Sequence, residues 1–118
     1  VEQSAMMLYL PPDPNRSIGP AGFGVVHATL HMSMRQALDR LSTHLICETI
    51  TLAQESFQRI RHSMQLPTPP ALAVAALNPH AGESGLFGDE EATVIAPAVR
   101  WAQQQGWNVT GPWSVDTL

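Results

Sequence analysis

The sequence predicts an α/β fold: parallel or mostly parallel strands with flanking helices. The first observation behind this is the order of elements, in which apolar strand-like segments alternate with helical ones, the order that yields parallel strands joined by crossovers. The second is the run Ala71 to Leu77, seven consecutive apolar residues, as expected for a central strand covered on both faces. The third is a helical stripe in which Ile46, Ile50, Ala53, Phe57, Ile60 and Met64 recur at alternating spacings of four and three.

Residues 4–10 read as a short apolar strand, ended by Pro11, Pro12, Asp13, Pro14 and Asn15, which continue no regular element. Residues 22–31 carry Phe23, Val25, Val26, Ala28 and Leu30 and read as a second, largely buried strand ending at His31. A short helix is predicted over residues 34–41. Ser42 or Thr43 caps a longer one reaching to about Met64, where Pro67, Pro69 and Pro70 follow. After the strand at 71–77 comes a Gly-rich loop over 78–88. Asp89, Glu90 and Glu91 then form an acidic first turn suited to the helix dipole, and the helix runs to about Gln105, kinked at Pro97 and stopped by Gly106. A last short strand spans 107–110.

Composition sets the limits on function. At 118 residues the chain holds one domain at most, and its longest apolar stretches fall well short of the ~20 residues a membrane helix needs. All six basic residues are Arg, so no lysine nucleophile, Schiff base or P-loop lysine exists in this chain. An acidic balance, with net charge −4, leaves no footprint for nucleic acid. The single Cys47 forms no internal disulfide and reads as a buried small apolar residue, which fits a reducing cytoplasm. With Val at position 1 and no signal peptide, residues 1–118 read as a single piece of a longer protein, lacking flanks on both sides.

In an open parallel sheet, ligands bind at the carboxyl ends of the strands. That edge should gather His31, the 78–88 loop with His80, and Asp116. A neutral imidazole at His80 could ligate a metal or move a proton, and Asp116 could orient a histidine or hold a substrate hydroxyl. With His31 as a second imidazole, the three would make a two-His, one-carboxylate metal site. Each also has an ordinary reading: a loop histidine bonded to backbone, a solvated terminal carboxylate, a histidine at a strand end.

The segments Leu77-Asn78-Pro79-His80-Ala81-Gly82-Glu83-Ser84-Gly85, Gly88-Asp89-Glu90-Glu91 and Gly111-Pro112-Trp113-Ser114-Val115-Asp116-Thr117-Leu118 resemble the central part of the 4-hydroxythreonine-4-phosphate dehydrogenase family, as does the strand end Ala28-Thr29-Leu30-His31. The resemblance is collinear over nearly all of the chain and weakest at the proline-rich loop. It implies part of a larger two-domain α/β/α enzyme of pyridoxal phosphate biosynthesis. That enzyme oxidises a 4-phosphorylated hydroxy acid with NAD and a divalent metal ion (zinc, magnesium or cobalt), usually with loss of the carboxyl group. The resemblance places His80 as one of three histidine ligands, the other two lying in upstream and downstream motifs that this chain does not contain, and Asp116 in the active site. His31 matches a family histidine outside the ligand set, which leaves it as the alternative second ligand. The nicotinamide and phosphate contacts fall mostly outside these residues, so the isolated chain is expected to be inactive, and a homodimer is implied.

The sequence departs from the family pattern at Ser33, at Ser84-Gly85-Leu86-Phe87 and at Trp113-Ser114-Val115, all close to the expected site. Relatives within the family oxidise 4-phosphorylated threonate or erythronate instead. Two readings from other classes compete: a non-catalytic dimerisation or ligand-binding module, and a hydrolase using a metal-activated water at His31, His80 and Asp116.

Overall fold

In the structure, a computed structural model that describes residues 4–118, the first two strands form a ribbon of their own. β1 (Met7–Leu10) and β2 (Phe23–Val26) pair antiparallel, with Met7 opposite Val26 and Leu10 opposite Phe23. β2, expected as the first strand of the parallel sheet, instead pairs with β1 in a separate two-stranded sheet, and that part of the expectation is corrected. A parallel connection needs a crossover, usually a helix, and the stretch between them holds only turns, so the chain simply reverses. β2 also stops at Val26, short of the predicted His31. One ribbon face, made by Leu8, Leu10, Phe23 and Val25, is exposed.

Two helices follow. α1 (Met34–Arg40) opens on a capping box, in which the Ser33 hydroxyl accepts from the Gln36 backbone and the Gln36 side chain accepts from the Ser33 backbone N–H. α2 (Thr43–Ser63) is capped by Ser42, whose Oγ accepts from the Leu45 N–H at 3.1 Å. The predicted stripe holds in its first half, where Ile46, Ile50 and Ala53 are buried. Farther along, Phe57 faces the ribbon, where a Cβ added at Gly24 would overlap its ring, so the ring occupies the space that the missing side chain leaves, while Met64 is exposed.

β3 (Ala71–Ala75) and β4 (Asn108–Trp113) form a parallel pair, with Ala71 opposite Asn108 and Ala75 opposite Trp113, and a register irregularity between Ala73 and Ala75. Between them runs α3 (Ala96–Gln104), entered through a π turn (Glu91–Ile95). The predicted kink at Pro97 takes this form. Proline offers no N–H, and in the turn before it the Ala96 N–H reaches back five residues to the Glu91 carbonyl. The helix stops before Gly106, as expected.

The core lies between α2, α3 and the parallel pair: Ile46 and Ile50 meet Ile95, Ala98, Val99, Ala102 and Val109. Fully burying an Ile or Val is worth about 1.5–3 kcal/mol each, so this cluster is what holds the pair β3–β4 against the helices. Trp101 and Trp107 add an edge-to-face contact at 5.7 Å on its rim. Cys47 packs against the cluster, and burial pushes its thiol pKa up, in keeping with a structural role. β3 is not covered on both faces: Ala71, Ala73 and Ala75 are exposed while Leu72 and Val74 turn to the core. Among the described residues no helix is long and apolar enough to cross a membrane.

Candidate functional site

Because β3 and β4 are parallel, the loops that follow them emerge at the same edge. The Ala76 N–H donates to the Trp113 carbonyl at 2.8 Å, extending the pairing to the start of both loops. Beyond β3, a short 3-10 turn (Pro79–Gly82) carries His80; beyond β4, another (Val115–Thr117) carries Asp116. His80 Nδ1 and Asp116 Oδ2 lie 3.7 Å apart, an ion-pair distance slightly long for a hydrogen bond, with side chains 63% and 59% exposed. The convergence expected of these two residues is therefore present.

Asp116 is tied to its own turn. The Ser114 hydroxyl donates to Asp116 Oδ1, and the Thr117 N–H donates to the Ser114 carbonyl at 3.1 Å. The Ser114 hydroxyl first, and the facing His80 more weakly, hold the Asp116 carboxyl below the usual range. A carboxylate facing Nδ1 favours the tautomer with its proton there, leaving Nε2 free to bind a cation or accept a proton.

The His80 turn is strained. His80 and Ala81 both sit at φ 52, the left-handed region, which costs an L residue about 1–2 kcal/mol. What holds it is Glu91, 6% exposed, from the π turn. Its Oε1 accepts from the Leu77 N–H at 2.9 Å and the Asn78 N–H at 2.6 Å, and its Oε2 accepts from Asn78 Nδ2 at 3.0 Å. Asn78 Nδ2 also donates to Glu90 Oε2 at 2.7 Å. Burial alone would raise the Glu91 pKa, but the bonds from Asn78 and Leu77 overcome it and keep the carboxyl below its ordinary range. Bonds to a charged group are worth about 1.5–3 kcal/mol each, so three of them are of the size needed to offset the left-handed residues His80 and Ala81, with Glu83 and Ser84 in the same region farther along the loop. Gly82 completes the support: at φ +79, a Cβ there would lie 2.8 Å from the Gly88 carbonyl and 2.9 Å from Glu91 Oε2.

Glu91 was not legible as a support. Three acidic residues opening a helix suggest only a dipole partner, and nothing in the sequence says that one of them turns inward toward a loop 13 residues earlier. Asn78 and Ser114 were missed for the same reason. Among the described residues no group of three His, Cys, Asp or Glu could hold a metal, so the structure does not bring His31 together with His80 and Asp116. His31 instead follows the ribbon, exposed, at φ 52. Two surface depressions, of about 290 Å³ at Leu10–Arg16 and about 440 Å³ at Glu55–His62, are lined by neither His80 nor Asp116. The pair lies open to solvent, outside both depressions.

An imidazole nitrogen and a carboxylate oxygen are fitting donors for a divalent cation, and both are accessible, so the pair fits a metal as part of a larger donor set. A nucleotide fits less well: Asp89, Glu90 and Glu91 open the helix after the loop, which sets negative charge where a pyrophosphate would dock.

The family model for pyridoxal phosphate biosynthetic protein PdxA matches residues 1–118. The D-threonate 4-phosphate dehydrogenase of Salmonella typhimurium is 40% identical over 94 residues, covering 80% of this chain and 27% of that protein. The 4-hydroxythreonine-4-phosphate dehydrogenase of Desulfosudis oleivorans is 45% identical over 95 residues, covering 80% and 27%. Among solved structures, the 4-hydroxythreonine-4-phosphate dehydrogenase of Klebsiella pneumoniae superposes with a TM-score of 0.72 at 40% identity, covering 97% of this chain and 30% of that one. A terephthalate 1,2-cis-dihydrodioldehydrogenase from Burkholderia xenovorans LB400 gives 0.75 at 29% identity, covering 97% and 32%. The chain spans less than a third of the length of these relatives. With its whole length matched by the family model and its fold shared with these structures, the chain belongs to the PdxA family of pyridoxal phosphate biosynthetic proteins.

Proposed function

We propose that residues 1–118 form one wall of the active site of a metal-dependent, NAD-dependent dehydrogenase acting on a 4-phosphorylated hydroxy acid such as 4-phosphooxy-threonine. The observation that carries this reading is the meeting of His80 and Asp116 at the carboxyl edge of β3 and β4, on the two segments that carry the family resemblance. When bound, a divalent ion would supply Lewis acidity toward the substrate's hydroxyl and carboxylate, and NAD would accept the hydride; the carboxyl group would leave afterwards as carbon dioxide. His80 contributes Nε2 as a ligand, and Asp116 fixes the imidazole through Nδ1 and presents a carboxylate near the reacting oxygens. An imidazole ligand favours zinc or cobalt over magnesium, which prefers oxygen donors.

The remaining ligands, any lysine acting on phosphate or proton, and the nicotinamide contacts are assigned to residues outside these 118, which contain no Lys. A homodimer in the cytoplasm belongs to the same proposal, and the isolated chain is expected to be inactive. A D-threonate 4-phosphate substrate is the second reading, favoured by the Salmonella relative and by the departures at Ser84–Phe87 and Trp113–Val115. NADH formation by the full gene product, supplied in turn with phosphorylated 4-hydroxythreonine and 4-phosphorylated threonate, tests both. Turnover with one acid identifies the substrate, and no turnover with either sinks the reading in favour of a non-catalytic module.

A further inference from the structure

We propose that Glu91 is a positioning residue for His80, holding the metal-binding imidazole against Asp116 through the backbone of Leu77 and Asn78. The inference rests on the reading of His80 as a ligand, and it adds a residue that touches neither substrate nor metal.

Three observations converge. Glu91 is a buried carboxylate whose two oxygens take three hydrogen bonds, all from the two residues that open the His80 loop. His80 follows Asn78 by two positions, with the rigid Pro79 between them, so a rotation at Asn78 swings the imidazole directly. His80 and Ala81 are in the left-handed region, which an L residue keeps only where its surroundings over-determine it. The turn's own bonds, such as Glu83 N–H to the His80 carbonyl at 3.0 Å, close it on itself, whereas the Glu91 bonds tie its entry to the rest of the fold.

Glu91→Gln keeps the shape and an acceptor for the backbone N–H groups, but turns an NH2 group toward the Asn78 Nδ2 donor. The test is a Co2+ titration of the full gene product, followed by visible absorption, on wild type, Glu91→Gln, Asn78→Ala, His80→Ala and Ile50→Val. The last loosens the core away from the loop. Glu91→Gln is expected to weaken Co2+ binding about 10- to 100-fold while melting cooperatively, as loss of an outer-shell partner does. Ile50→Val should leave the affinity unchanged. A folded Glu91→Gln protein that binds Co2+ like wild type overturns the proposal.

Should Glu91→Gln not fold, Asn78→Ala decides: it removes the side-chain bonds to Glu91 and Glu90 and leaves the backbone ones, so weaker binding supports positioning and unchanged binding overturns it. A second readout needs no metal. In protein carrying 13C-labelled histidine, the His80 ring resonance should shift in Glu91→Gln, and an unmoved resonance overturns the proposal. If His80→Ala leaves Co2+ affinity intact, the ligand reading fails by itself, while the ring resonance still decides whether Glu91 positions His80.

Discussion

Gly82 and Gly85 lie three residues apart in the same loop, both at positive φ, yet only one of them is enclosed. A Cβ at Gly82 would meet the Gly88 carbonyl at 2.8 Å and Glu91 Oε2 at 2.9 Å, whereas a Cβ at Gly85 would meet nothing within 4 Å. Gly85→Ala therefore carries only the conformational cost of an L residue in the left-handed region, about 1–2 kcal/mol. Gly82→Ala carries that cost and an overlap with a backbone oxygen and a pinned carboxylate, about 1–3 kcal/mol more. Its total is about 2–5 kcal/mol. Urea denaturation of both variants in the full gene product measures the difference, which isolates packing because the backbone term is common. Equal losses, within about 0.5 kcal/mol, would refute the enclosure of Gly82 by Glu91 and Gly88, and with it the over-determined loop.

Three further outcomes follow from the same structure. Ile50→Ala opens a cavity among α2 and α3 and should cost about 2–5 kcal/mol by denaturation, whereas Ser33→Ala, which removes the capping box of α1, should cost only about 1 kcal/mol. The thermal midpoint should fall as the solution is acidified below about pH 5. The folded pKa of Glu91 lies below its unfolded value, so its contribution is complete above the unfolded value of about 4.3 and is lost as pH falls through the folded one. Asp116 shifts in the same direction but is exposed, and adds little. Glu91→Gln should flatten the acid limb of the profile; an unaltered limb would show that the carboxylate does not ionise in support of the loop.

How much of this could be read from the sequence depended on whether a signal was local. α1 and α2 fall within a residue of expectation, α2 because Ser42 caps it and the stripe from Ile46 onward has a helical period, while the Ser33 capping box of α1 emerges only in the structure. The parallel pair followed from two apolar segments around one helix. The antiparallel β1–β2 ribbon did not: the proline-rich loop excludes a crossover helix between the two strands, but nothing local in the sequence says that β2 pairs with β1 apart from the β3–β4 pair. His80 and Asp116 were found through loop position and family resemblance, and the structure places them side by side. Glu91 was hidden since its role is set by the tertiary position of its side chain, and Asp89-Glu90-Glu91 looks the same whichever of the three turns inward. His31, expected at the same edge because it ends a predicted parallel strand, follows the ribbon instead of the parallel pair.

The most direct test compares His80→Ala, Asp116→Asn and His31→Ala in the full gene product, measuring NADH formation with the accepted phosphorylated acid, with and without a chelator. The wild-type rate should depend on metal. His80→Ala should lower it by at least about 100-fold, Asp116→Asn should lower it strongly, and His31→Ala should leave most of it. Chelator-resistant turnover, or full turnover in His80→Ala, would contradict the assignment of the metal and the site to the carboxyl edge of β3 and β4.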